Sequence, residues 1–224
     1  MELGFDSFRL AAATADLGVE RQARGTADCL EFRMDLAEAP AETLAAYEGA
    51  TPLVVTNRPT WEGGDAADAG RLDALVDAIA HPAVAAVDVE QATVAAGDAD
   101  PVIEAARAAG CRLIVSAHEF EATPTTAAMV ERLTTAGAVG DVAKLAVMAR
   151  EPADSLALLA ATQQATAAGI DVATMAMGEP GRHTRVIAPI YGSRIGYAPV
   201  APGDATAPGQ YDLETLSALV GAVS

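Results

Sequence analysis

Residues 101–118, Pro101-Val-Ile-Glu-Ala-Ala-Arg-Ala-Ala109-Gly110-Cys-Arg-Leu113-Ile-Val-Ser116-Ala-His118, hold a helix, its stop and a strand in succession. Pro101–Ala109 has the three-or-four apolar spacing of a helix. Gly110 follows it as a stop, and Leu113–Ser116 is an aliphatic run of strand length. The same unit recurs along the chain. Strand-like runs fall at Cys29–Met34, Leu53–Thr56, Val84–Val89, Val142–Val147 and Val172–Met177, with Phe8–Ala13 before them and Ser193–Tyr197 after them. Ala-rich helical stretches lie between, at Asp68–Ala80, Ala127–Thr135 and Ser155–Ala168, the last stopped by Gly169. Strand alternating with helix predicts a parallel sheet covered by helices. Eight such units in 224 residues predict a closed (β/α)8 TIM barrel, one domain over residues 1–224. An open doubly wound sheet is the alternative, but no Gly-rich phosphate loop follows the first strand.

Composition narrows the function classes. The formal net charge of −17 and the 51% hydrophobic content suit a soluble cytoplasmic chain. They disfavour nucleic acid and anionic membranes, which need clustered Lys and Arg. Met1–Ala13 contains Glu2, Asp6 and Arg9, unlike a signal peptide, and no run approaches about 20 apolar residues. Cys29 and Cys111 sit in apolar runs and read as unpaired core residues. Thirteen of the 14 basic residues are arginine. Acid on nearly every helix reads as adaptation to very high salt, where self-repulsion is screened; an ordinary acidic protein from an Ala-rich genome would look similar.

Three features carry chemistry. Glu31 and Arg33 are two apart in one strand and face the same side. Burial of such a pair is costly unless it lines a polar pocket or its members simply bind each other. His118 ends a strand, where barrels place catalytic groups, and imidazole moves protons in both directions near neutrality. His81 and His183 lie in loop-like surroundings. Lys144 lies inside the apolar run Val142–Val147 and is the only lysine in the chain. Lysine can attack a carbonyl where arginine cannot. Its reactivity near neutrality requires a pKa well below about 10.4, with Arg33, Arg58 and Arg185 as the expected neighbouring cations. No His/Cys/Asp cluster has metal spacing, and nothing suggests a nucleotide cofactor.

In order along the chain stand Glu31-Phe-Arg33-Met-Asp35, Thr56-Asn-Arg58, Glu62-Gly-Gly64, Ser116-Ala-His118-Glu-Phe120, Lys144-Leu-Ala-Val-Met148, Met175-Ala-Met177-Gly178 leading to Thr184-Arg185, and Ala207-Pro-Gly-Gln210. The pattern resembles the type I 3-dehydroquinate dehydratases over nearly the whole chain. With the acidic surface, it points to a halophilic archaeal source. The resemblance implies loss of water from 3-dehydroquinate to give 3-dehydroshikimate, in aromatic amino acid biosynthesis. Lys144 would form the imine, with no cofactor beyond that covalent bond. His118 would remove the proton beside the imine and later protonate the leaving hydroxide. Glu62 would hold and tune His118. Glu31 and Arg33 would face the ring hydroxyls, and Arg58 and Arg185 would lie in the anion-binding part of the site. Thr206 and Gln210 would arrive on a lid loop over 197–210, and a homodimer would be usual. Thr206 stands where the family usually has serine and Tyr197 where it often has phenylalanine. Asn57 lies within a Thr-x-Arg motif that usually contains an aromatic residue, and the first strand lacks the serine often found there. A Schiff-base aldolase on the same fold, or a non-catalytic metabolite-binding barrel, are the competing readings.

Overall fold

The aliphatic runs form eight parallel strands: β1 (Arg9–Thr14), β2 (Cys29–Arg33), β3 (Leu53–Thr56), β4 (Val84–Glu90), β5 (Arg112–Glu119), β6 (Val142–Met148), β7 (Val172–Met177) and β8 (Ile195–Pro199). The structure is a computed structural model and describes residues 3–201, 203 and 207–223. Each strand from β1 to β7 pairs with the next in sequence, and β8 pairs with β1. At the base of the β7/β8 seam Val172 bridges to Ser193, and the Arg194 N–H donates to the Val172 carbonyl at 2.6 Å. The sheet thus curls into a (β/α)8 barrel. Its sequential order excludes the doubly wound alternative, whose order reverses at a switch point.

Nine α-helices accompany the strands among the described residues: α1 (Glu20–Ala23), α2 (Pro40–Ala45), α3 (Arg71–Ile79), α4 (Gln91–Ala96), α5 (Asp100–Ala109), α6 (Thr126–Gly137), α7 (Pro152–Ala167), α8 (Thr184–Ile187) and α9 (Leu213–Val223). Two boundaries differ from expectation for local reasons. α3 starts after Gly70, whose φ of 78° is left-handed and cannot continue from Asp68 as helix. α7 starts earlier, because Glu151 and Asp154 form a reciprocal capping box around Pro152 at the first turn.

Alternation along the strands sorts the core into two layers. Leu30, Phe32, Leu53, Val55, Val87, Val89, Leu113, Val115, Leu145 and Val147 pack outward with the helices. Cys29, Val54, Ala86, Ile114, Val142, Ala173 and Ile195 form a separate cluster inside the barrel. Continuing two residues at a time from these inward positions toward the C-terminal end reaches Glu31, Thr56, Asp88, Ser116, Lys144, Met175 and Tyr197. The barrel is therefore apolar at its base and charged at its mouth, where such folds place active sites.

The last strand corrects one expectation. β8 runs to Pro199, with Ala11 opposite Tyr197 and Ala13 opposite Pro199. Tyr197, where the strand-like run Ser193–Tyr197 is expected to end, is a buried strand residue, and the loop expected over 197–210 begins only after Pro199. Pairing to β1 decides this, and the run's own composition does not reveal it.

Candidate active site

One pocket at the barrel mouth is lined by Glu31, Arg33, Thr56, Arg58, Glu62, His118, Lys144, Arg185 and Gln210, among others. Every expected site residue among those described therefore meets in one place. Thr206 lies outside the described residues.

Glu31 and Arg33 share a face of β2 but bind different partners. The Arg33 guanidinium donates to both oxygens of Asp35, at 2.9 and 2.6 Å. Glu31 accepts from Thr56 Oγ1 at 3.1 Å and from Lys144 Nζ at 3.5 Å. Lys144 is 5% exposed. Its ammonium donates to Asp88 Oδ2 at 2.9 Å and lies 4.1 Å from the centre of the Tyr197 ring. The immediate ionic partners of Lys144 are thus carboxylates, where the sequence suggested cations. Arg58, the cation expected beside it, is itself held by buried groups: it donates to Asp88 at 2.7 Å, to Glu90 at 2.9 Å and to Ser116 Oγ at 2.7 Å. Glu90 also accepts from Arg71 at 2.8 Å.

His118 stands on β5 with Nδ1 3.0 Å from Glu62 Oε1. Its ring stacks on Phe120, with centroids 5.9 Å apart and planes 10° from parallel. Burial, and then the Arg58 and Lys144 charges, hold the imidazole well below its ordinary pKa, so it rests neutral as a base should. Burial pushes Glu62 up to about 7, against the pull of Arg58. Glu62 reaches His118 because Gly63 adopts φ 78° and Gly64 passes so close to Arg58 that a Cβ would lie 2.1 Å from its carbonyl oxygen. The Glu62-Gly-Gly64 motif is thus a backbone device that brings a carboxylate to the histidine.

Arg185, on α8, is the pocket-lining cation left open among the described residues. Its Nε and Nη2 are buried with no hydrogen-bond partner among them, and burial lowers its pKa to about 10. A buried guanidinium with unsatisfied donors is suited to a carboxylate, which it can bind in bidentate fashion. At the other rim, Ala207 and Gln210 reach the pocket, and the Ala207 N–H donates to Gln210 Oε1 at 3.2 Å.

The sequence reading does not single out Asp88 and Glu90, and it names Ser116 and Tyr197 without giving them a role in the site. Asp88 and Glu90 carry the same signal that exposed Glu31 and Arg33, two charges two residues apart in an aliphatic run. Tyr197 had no such mark, because an aromatic residue in a strand reads as core.

A parallel barrel with a buried lysine, a carboxylate-held histidine and an unpaired arginine at one mouth defines an enzyme built for carbonyl chemistry on an anionic substrate. The chain belongs to the type I 3-dehydroquinase family, whose pattern matches residues 11–223. It is 60% identical to the 3-dehydroquinate dehydratase of Haloarcula marismortui, over 98% of this chain and 97% of that protein. The corresponding protein of Halobacterium salinarum is 47% identical over 96% of this chain and 97% of its own. The crystal structure of 3-dehydroquinate dehydratase from Geobacillus kaustophilus superposes with a TM-score of 0.86 at 26% identity, covering 97% and 91% of the two chains.

Proposed function

We propose that the chain is a hydro-lyase that removes water from 3-dehydroquinate through an imine on Lys144. The carrying observation is that the chain's one lysine lies buried in the same pocket as the His118–Glu62 pair and the unpaired Arg185. Arg185 binds the substrate carboxylate and so orients the ring. Lys144 Nζ attacks the ketone carbon, and the resulting iminium withdraws electrons from the neighbouring C–H. Neutral His118 removes that proton. The imidazolium, steadied by Glu62, then returns a proton to the departing hydroxide and later assists imine hydrolysis. Glu31 and Arg33 face the ring hydroxyls, and Arg58 acts on the site through Asp88 and Glu90. Gln210 belongs to a closing loop between β8 and α9, and the resemblance gives Thr206 a substrate-binding part.

This reading asks for no metal or cofactor, places the enzyme in the cytoplasm and takes the homodimer as its assembly. No described helix is long and apolar enough to cross a membrane. The family match removes the ground for the aldolase and for the non-catalytic barrel.

The test separates the two side chains. With 3-dehydroquinate and borohydride, His118→Ala should gain one covalent adduct by mass and produce almost no conjugated enoate absorbance. Lys144→Ala should gain none. Equal labelling of both variants would overturn the assignment.

A further inference from the structure

Asp88 is fully buried inside the barrel and is shared by three donors: Lys144 at 2.9 Å, Arg58 at 2.7 Å and the Ser116 hydroxyl at 2.6 Å. No step described above gives it a part beyond its contact with Arg58. A carboxylate at 0% exposure beside the reacting nitrogen is costly unless its charge is matched at all times, and its partner Lys144 is the atom that changes bonding during the reaction.

We propose that Asp88 is a positioning residue that stabilises the two cationic forms of the Lys144 nitrogen, the resting ammonium and the iminium, and holds Nζ in place between them. The proposal rests on the imine reading given above. The balance of the step supports it. An ammonium and a ketone give a protonated imine and one water: a C=N bond replaces C=O, and two of the three ammonium protons leave with the ketone oxygen. Nitrogen carries one positive charge before and after, so Asp88 faces the same charge at both ends of the step. Between them the ammonium gives one proton to neutral His118, which frees the lone pair that adds to the ketone carbon. The neutral carbinolamine forms as a second Nζ proton passes to its oxygen, and the imidazolium then protonates that oxygen, which leaves as water while C=N forms and His118 is neutral again. Holding the imine protonated is useful in itself, because only the iminium is a strong electron sink.

The surroundings make Asp88 the steady anion of the group. Glu31 from β2 is farther from Nζ, at 3.5 Å, and is held by Thr56. Glu90 from β4 is occupied by Arg58 and Arg71. Arg58 reaches Asp88 from the loop after β3, His118 pairs with Glu62 instead, and Tyr197 from β8 offers its ring. Burial drives the Asp88 carboxyl upward, but Arg58, Lys144 and the Ser116 hydrogen bond outweigh it and keep Asp88 ionised. Asp88 is therefore a fixed charge and not a proton acceptor.

The chain's single lysine makes the test direct. Protein grown on lysine labelled with 15N in the side chain gives one side-chain resonance, that of Lys144. In the wild type it should be an ammonium signal throughout the pH range of activity. In Asp88→Asn it should become that of a neutral amine at the same pH. The variant's kcat should fall roughly ten- to a hundredfold while KM changes less than about threefold, since the lost charge acts on the cationic intermediate and not on substrate binding. Its rate should gain a dependence on pH that Asp88→Glu largely removes. A neutral amine in the active wild type overturns the proposal. So does a variant that keeps the wild-type pH profile and loses only thermal stability. If Asp88→Asn does not fold, the wild-type spectrum alone decides. Failure of the imine reading is distinguishable, because wild-type enzyme would then gain no borohydride-trapped adduct on Lys144.

Discussion

Glu62 is placed where its charge is unwelcome, and that gives a prediction with a definite sign. Its folded pKa of about 7 lies above the ordinary carboxyl value of 4.5, chiefly through burial. A group raised on folding contributes its full stability below the unfolded value and loses it as pH climbs to the folded value. Between pH 4.5 and 7 the wild type should therefore forfeit up to about 3 kcal/mol that Glu62→Gln keeps. The melting temperature of Glu62→Gln should gain on that of the wild type between pH 4.5 and 8, and a constant difference at both values would sink the idea. The same substitution should slow turnover, because Gln cannot steady the imidazolium. His118 titrates in the opposite direction. Its neutral form persists well below the ordinary histidine value, so the acidic limb of kcat/KM in wild-type enzyme should lie below about 6.5.

At the scale of elements, the turn Thr60–Glu62 with Gly63 and Gly64 delivers Glu62, and β5 delivers His118. Gly63 is packed beneath Phe120, where a Cβ would approach the ring to 2.5 Å, and Gly64 would strike the backbone of Arg58. The ring can yield, but the backbone of a paired loop cannot. Gly64→Ala should therefore destabilise the protein by about 1–3 kcal/mol, as overpacking does, and also displace Glu62 from His118. Denaturant unfolding gives the first effect and a kcat loss comparable to that of Glu62→Gln gives the second. A Gly64→Ala protein with wild-type kcat would show that the glycine serves packing alone.

For the molecule as a whole, 31 acidic residues against 14 basic ones leave a surface that repels itself in dilute buffer. Aromatic residues make up only 4% of the chain, so the repulsion is opposed mainly by Ala, Val and Leu packing. Raising potassium chloride from dilute to molar levels shortens the Debye length to about 3 Å and should raise both the melting temperature and activity. Buried pairs such as Lys144–Asp88 are screened far less, so the salt gain should come from the surface and survive Asp88→Asn. Full stability in dilute buffer would end the high-salt reading, which the haloarchaeal relatives otherwise favour.

The repeating order of strand and helix, the strand-end histidine and the solitary lysine were legible in the chain itself, because periodicity and composition are local properties. The motifs also placed Glu62 and the arginines in one site. The sequence could not say which charge meets which. Glu31 and Arg33 share a face yet pair elsewhere, and the carboxylate bound to Lys144 comes from β4, 56 residues away. Nor could it show that the last strand runs on past Tyr197 to Pro199. Those facts depend on the closure of the barrel, which brings β2, β4, β6 and β8 around a common axis. There, ion pairs are chosen by distance through space in a low-dielectric interior, and spacing along the chain has no part in the choice.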